Sequence, residues 1–428
     1  TRRSSDLRWR AIIVETGSLL FKNRFPVFLL LILQTMENIQ KKERILAIDA
    51  LRGFAVMGII LLHNIEHFNF YSFPETTSPV LGALDKSLWD MLFFMFSGKA
   101  YAIFALLFGF TFYLQSRGSE KRGEDFKNRY MWRLLLLLGF GFVNSLFFPG
   151  EILVLYAILG FILVPVRHWS NKGLLILALI LMLQPVEWLK VLCGFVNPEY
   201  APKQMIFSLG NVYPQLGGES WWEMVKVNFT IGQLASLNWA WCYGRVFQTC
   251  SLFILGLWIG RVGYFDSSSE AALTKARTFW TYVLCFSLPL AVIFYFLKGF
   301  IFSIASQPLM LDSLKTIFNS WYNFCFMLAI VSAFLLLYWM GKGRILKILV
   351  PYGRMSLTDY IMQSVIGSFL YFGYGLALHK SCGTTLSLLV GIVFFLAQLA
   401  FAHWWFRHFK RGPLETIWHR LTWLGKTN

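Results

Sequence analysis

The chain has 428 residues, of which 57% are apolar, 18% aromatic and 14% charged, with a formal charge of +17. Soluble globular chains are nearer half apolar and a quarter charged, and disordered ones lack so many rings, so both classes are excluded. Apolar runs recur from residue 45 to the C-terminus, which rules out a secreted soluble enzyme and a DNA-binding regulator and leaves an all-α, polytopic membrane protein.

Residues 1–35 stand apart as an N-terminal extension. Their apolar run, 25–33, is interrupted by Pro26 and is too short to cross about 30 Å of hydrocarbon. No small-residue cleavage site follows it, which argues against a signal peptide. Met36 opens Met-Glu-Asn-Ile-Gln-Lys-Lys-Glu-Arg in the manner of a bacterial start, so the native protein is expected to begin there. Residues 36–428 read as a single transmembrane domain, without internal repeats or a polar stretch long enough for a soluble domain.

Ten spans are predicted, near 46–66, 92–115, 131–148, 151–166, 173–193, 245–262, 279–297, 316–340, 355–378 and 384–406. With residue 36 inside, 24 Lys and Arg fall on the cytoplasmic side and seven outside. The positive-inside rule then places both termini in the cytoplasm and explains the basic excess without nucleic acid. The outer segment 194–235 carries Trp221 and Trp222, which are expected to anchor at headgroup level. The six cysteines form no C-x-x-C pair and read as small buried residues, with metal or disulfide use by one pair as the alternative.

Ionisable groups inside spans are costly to bury and mark functional sites. The first span holds Asp49 and Arg52 at its cytoplasmic end, then His63, Asn64, Glu66 and His67. At 1.5 Å per residue, His63 lies about 16 Å above Arg52, near mid-bilayer. His63, Glu66 and His67 share one helix face, and an imidazole oriented by a carboxylate suits a general base. The alternative is a helix end where Glu66 and His67 meet water. The same residues also spell H-x-x-E-H, an inverted zinc-protease pattern lacking an evident third ligand.

Further along, Asp90, Ser97, Gly98 and Lys99 place polar and small residues in an apolar helix, where a bend or close packing is expected. Lys99 would neutralise a phosphate or thioester oxygen, or else snorkel to an interface. Glu151, in a tight Pro149-Gly150-Glu151 hairpin, faces the same side as Glu66 or is simply a solvated turn acid. Arg245 with Gln248, and Asp359 with Gln363, sit at i, i+3 and i, i+4 in later spans, where helix–helix hydrogen bonding competes with a catalytic role.

On Arg44-Ile45-Leu46-Ala47-Ile48-Asp49-Ala50-Leu51-Arg52-Gly53, Gly98-Lys99-Ala100-Tyr101, Gly150-Glu151-Ile152-Leu153, Gly353-Arg354-Met355-Ser356-Leu357-Thr358 and Gly412-Pro413-Leu414-Glu415, the chain resembles the YeiB-like family of bacterial membrane proteins. More faintly, Asp49-x-x-Arg52-Gly53 and the Asp90 to Gly98 segment resemble the transmembrane acyltransferases. In acyltransferase-3 proteins a His follows the opening Arg by eleven positions, as His63 does here. The resemblance implies a ten-helix fold in the bacterial inner membrane, a homodimer, and transfer of an acetyl or acyl group from cytoplasmic acyl-CoA to a sugar or other envelope acceptor. On that reading His63 is the base or transient acyl carrier, Glu66 or His67 orients it, and Lys99, Arg133 and Arg354 hold the CoA phosphates. No resident metal is expected. A transporter and an intramembrane zinc hydrolase are the competing readings.

Overall fold

The computed structural model describes residues 46–424 apart from 67, 69–70, 72, 75–77, 124, 198–206 and 305–307. The extension 1–35, the start at Met36 and His67 lie outside the described residues. Among these, the regular elements are helical. The longer ones are α1 (Leu46–Ile65), α2 (Pro79–Phe96), α3 (Ala100–Lys121), α4 (Phe126–Ser145), α5 (Leu153–Val166), α6 (Asn171–Met182), α7 (Pro185–Val196) and α8 (Trp221–Cys242). They continue with α9 (Arg245–Val262), α10 (Glu270–Ile304), α11 (Pro308–Leu337), α12 (Val350–Arg354), α13 (Ser356–Tyr371), α14 (Thr384–His408) and α15 (Pro413–Thr422).

Local chemistry sets several helix starts. The Asp125 carboxylate accepts from Lys127 N at 3.0 Å to open α4, and Ser170 Oγ accepts from Gly173 N at 3.1 Å to open α6. Each satisfies an N–H that the helix itself leaves unpaired. Pro79 follows the Ser78 cap at the first position of α2, where a missing N–H does no harm.

Five runs are long and apolar enough to cross a membrane: α1, α2 with α3 (Pro79–Lys121), α10, α11 and α14. The number is seven if the bent pairs α6–α7 and α8–α9 each count as one span. That is fewer than the ten predicted. Helix α4 opens on Lys127, Arg129 and Arg133, while α5 and α13 are short, so composition and length hold these three back. The helix is interrupted at that point: α2 and α3 part at Ser97 to Lys99, where Gly98 takes φ +75°.

The exterior is apolar. On α10 the side chains of Tyr282, Phe286, Ile293, Phe296 and Phe300 all face outward, Phe296 with 70% exposure. A water-exposed surface of that size would be an association site, and in a bilayer it meets lipid. Inside, Phe108 of α3 stacks on Phe253 of α9 at 4.5 Å, and α10 runs along α11.

The two bent pairs are pinned to each other. α6 and α7 meet at 43° across Gln184, and α8 and α9 at 74° across Gly244. Buried Gln184 donates through Nε2 to Gly244 O at 2.9 Å and to Ser320 Oγ of α11 at 3.2 Å. Broken backbone within an apolar bundle must find such partners. Gln184→Leu is expected to destabilise the fold by about 1–3 kcal/mol, because it strips donors from two buried acceptors. The check is the thermal unfolding midpoint in detergent, and an unchanged midpoint would show that the bends do not depend on this side chain.

Candidate functional site

Helix α1 supplies the first polar set. Asp49 is buried and pairs with Arg52 Nη1 at 2.7 Å, and Arg52 Nη2 donates to Thr111 Oγ1 of α3 at 3.2 Å. Gly53 and Gly353 bring α1 against α12 backbone to backbone. A Cβ on Gly353 would overlap the Asp49 carbonyl oxygen, and one on Gly53 would overlap Leu349 O. This close approach sets Arg52 and Arg354 around one space.

That space is a cavity of about 260 Å³, lined by Arg52, Arg133 and Arg354 together with Phe104, Phe108, Leu134, Leu137 and Leu357. The Arg133 guanidinium lies 4.5 Å over the Trp418 ring of α15. Arg354 lies 4.2 Å over Phe406 and donates to Lys410 O at 3.0 Å. Among the described residues neither arginine pairs with a carboxylate. Glu415 also lines the cavity, but its oxygens accept from Leu357 N at 2.9 Å, Thr358 N at 3.2 Å and Thr358 Oγ1 at 2.6 Å. Burial raises the Glu415 carboxyl above its ordinary range, and the Thr358 and backbone donors pull against that shift. The Glu415 contacts fasten α15 to α13, which leaves the arginines as the groups available to an anion with an apolar portion.

A second cavity, of about 130 Å³, is lined by His63, Glu66, Ser97, Glu151, Arg245, Ser236 and Trp239. His63 is 9% exposed, with its ring centre 4.8 Å from that of Phe148 and 6.2 Å from that of Tyr360. Glu66 accepts from the Tyr71 hydroxyl. Burial and the Glu66 charge push the Tyr71 phenol well above its ordinary value, so it stays a donor. Glu151 is not a solvated turn acid. It is buried, its carboxylate accepts from Asn144 Nδ2 and Leu153 N, and its carbonyl accepts from Ser236 Oγ at 2.9 Å. Arg245 donates to the Tyr101 hydroxyl at 2.6 Å and lies 4.5 Å over that ring. The Tyr101 hydroxyl donates in turn to Gln248 Oε1, while Gln248 Nε2 holds Ser320 O at 3.1 Å.

Ile59, Tyr101, Ile152 and Tyr360 line both cavities, so one layer of side chains divides them. The predicted residues sort around that layer. Arg52, Arg133 and Arg354 lie on one side, and His63, Glu66, Ser97, Glu151 and Arg245 on the other. Asp49 and Gln248 stand behind them, each bonded to a lining residue.

Others are elsewhere. Lys99, expected beside Arg133 and Arg354, lies outside both cavities among Phe94, Tyr322 and Phe326. Asn64 turns away from His63, donates to Ile60 O at 2.7 Å and packs on Gly391 of α14. Asp90 is exposed on α2. Asp359 and Gln363 are buried at the α13–α14 contact, where Gln363 Nε2 meets Tyr352 OH at 3.1 Å and Gln398 Nε2 meets Asp359 O at 3.0 Å. Tyr101, Tyr360, Trp239 and Trp418 line the cavities without having been singled out by function in the sequence. All six cysteines are free thiols. Among the described residues no three His, Cys, Asp or Glu side chains group as metal ligands.

Residues 259–425 match the family described as "Protein of unknown function (DUF418)". The chain is 27% identical over 419 residues to the protein described as "Uncharacterized protein YxaH" from Bacillus subtilis (strain 168), covering 89% of this chain and 95% of that protein. It is 27% identical over 402 residues to an uncharacterized 39.9 kDa protein in the amylase 3′ region of Bacillus acidopullulyticus, covering 90% and 96%. Against "Uncharacterized protein YeiB" from Escherichia coli (strain K12) the identity is 25% over 415 residues, covering 89% and 96%. No solved structure matches. The matched C-terminal region contains Arg354, Tyr360, Glu415 and Trp418, and the similarity to the uncharacterized YxaH and YeiB proteins extends over nearly the whole chain.

Proposed function

We propose that the chain is a membrane acyltransferase that takes an acetyl or acyl group from acyl-CoA and passes it to an acceptor of the cell envelope. The observation that carries this reading is the pair of cavities set back to back, one basic and apolar, the other holding a histidine and two carboxylates. Arg133 and Arg354, with Arg52 behind them, hold the CoA phosphates, and the apolar wall takes the arm and acyl group. His63 accepts the proton of an acceptor hydroxyl or amine as that atom bonds to the thioester carbon. The carbon–sulfur bond then breaks, and the proton passes to the departing CoA sulfur to leave free thiol and acylated acceptor. Tyr101 and Tyr360, shared by both cavities, are the side chains that must move for the thioester to meet the acceptor.

This reading carries the finer topology with it: ten spans arranged as in the transmembrane acyltransferases, an inner-membrane location and both termini in the cytoplasm, with the arginine-lined cavity on the cytoplasmic side. The test is calorimetry of acetyl-CoA and a longer acyl-CoA with detergent-purified protein. Micromolar binding is expected in the native chain and in His63→Ala, with weakening of about tenfold in Arg354→Ala, which removes one charge-assisted contact. A folded sample that binds neither thioester would sink the proposal.

One feature favours a second reading, a transporter: the bent pairs α6–α7 and α8–α9, since broken helices are what transporters use at substrate sites. Both breaks are tied down by Gln184, however, and the sequence shows no internal repeat. The zinc hydrolase reading would need a third ligand beyond His63 and His67, and His67 lies outside the described residues.

A further inference from the structure

Lys99 belongs to neither cavity and is 3% exposed, deep in a helical bundle. Its Nζ lies 5.0 Å from the Tyr322 ring centre and 5.3 Å from that of Phe326, and donates weakly to Phe93 O at 3.5 Å. A second cation shares the same ring: Lys298 of α10 lies 4.5 Å over Tyr322 and reaches Asn319 Oδ1 at 3.5 Å. Among the described residues neither ammonium has a carboxylate partner. Lys298 and Arg245 both repel Lys99, and Arg245 keeps a buried Nε without a hydrogen-bond partner.

Ring attraction offsets only part of what an ammonium loses when it leaves water. Two amines gathered on one ring, with a third cation near, are stabilised together by an anion. The direction of approach follows from the surroundings. Phe94 and Tyr295, which flank this cluster, are exposed on the apolar exterior, next to Phe296. An anion arriving there comes through the bilayer and carries apolar chains. On the inner side, Ser97 and Gly98, which precede Lys99, line the cavity that holds His63.

We propose that Lys99 and Lys298 bind the phosphate of a membrane amphiphile, whose headgroup reaches from Tyr322 into the His63 cavity. Resting on the acyltransferase reading above, this makes the acceptor a phosphate-bearing lipid rather than a soluble molecule. Lys99 is then an acceptor-side residue, not a donor-side one.

The test uses full-length protein in a neutral detergent, followed by thermal unfolding. It is titrated with phosphatidylglycerol, with phosphatidylcholine of the same chains, and with inorganic phosphate. Phosphatidylglycerol is expected to raise the unfolding temperature saturably, with a midpoint about tenfold higher in Lys298→Gln, as loss of a charge-assisted contact implies. Lys298 is only half-buried, so this variant folds even if Lys99→Met does not. An equal shift with phosphatidylcholine, or an unchanged midpoint in Lys298→Gln, would overturn the site. An equal response to inorganic phosphate would overturn the lipid and leave a soluble phosphate ligand. Acetyl-CoA calorimetry on the same samples separates the two proposals. Donor binding without a lysine-dependent lipid shift defeats this inference alone, whereas the lipid shift without donor binding defeats the transferase and leaves the phosphate site standing.

Discussion

On the proposed acyltransferase reading, His63→Ala is expected to lower acyl transfer by about 100-fold or more, the usual contribution of a positioned general base, with acetyl-CoA binding unchanged. The expectation rests on position. His63 lies on α1 beyond the arginine-lined cavity, and its ring faces Tyr360, which lines both spaces. The two carboxylates of that cavity have hydrogen-bond partners: Glu66 the Tyr71 hydroxyl, and Glu151 the Asn144 amide and a backbone N–H. Loss of a base should fall on kcat and on kcat/KM alike, since the contact is made in the transition state. Removing the ring also removes packing against Phe148, so His63→Gln, which keeps more of the volume, guards against a folding artefact. If both variants retain full transfer, proton abstraction does not run through His63, and Glu151 becomes the next residue to replace.

What the sequence made legible depended on spacing along single helices. A rise of 1.5 Å per residue separated Arg52 from His63, and the structure puts them in different cavities. The break at Gly98 and the opposed placement of Arg354 and Glu151 followed from composition and turn residues in the same way. What depends on which helices touch was not legible. Lys99 leaves a bend on a long stem, and only the arrival of α10 and α11 beside it decides that its head meets Tyr322 and Lys298 rather than Arg133. Tyr101 and Tyr360 could not stand out in a chain with 43 Phe, 17 Trp and 17 Tyr, where an aromatic usually means core. Asp359 and Gln363 do sit close together, as i, i+4 required, yet Tyr352 and Gln398 arrive from other elements and claim the network. Span number suffered from the reverse problem. Arg133 lines the arginine-lined cavity, and together with Lys127 and Arg129 it dilutes the hydropathy of the helix that carries it.

Gly353→Ala is expected to cost more than about 3 kcal/mol of stability, enough to remove most folded protein at growth temperature. The added Cβ would overlap the Asp49 carbonyl oxygen and crowd Gly53 N, both of them backbone atoms. No side chain can rotate to make room, so α1 and α12 must separate. Any separation moves Arg52 away from Arg354, because the first precedes Gly53 and the second follows Gly353. Whatever protein survives should therefore bind acetyl-CoA more weakly as well. Gly139→Ala is the matched control, since a Cβ there meets nothing within 4 Å. It lies inside α4, where alanine favours the helix by about 0.5–1 kcal/mol over glycine, so this variant should be neutral or slightly more stable. Unfolding midpoints of the two variants in one detergent, with the donor titration repeated on each, decide the matter. A Gly353→Ala protein that unfolds with the native chain would mean that α12 does not press on α1. The arginine-lined cavity would then lose the contact that draws Arg52 and Arg354 together.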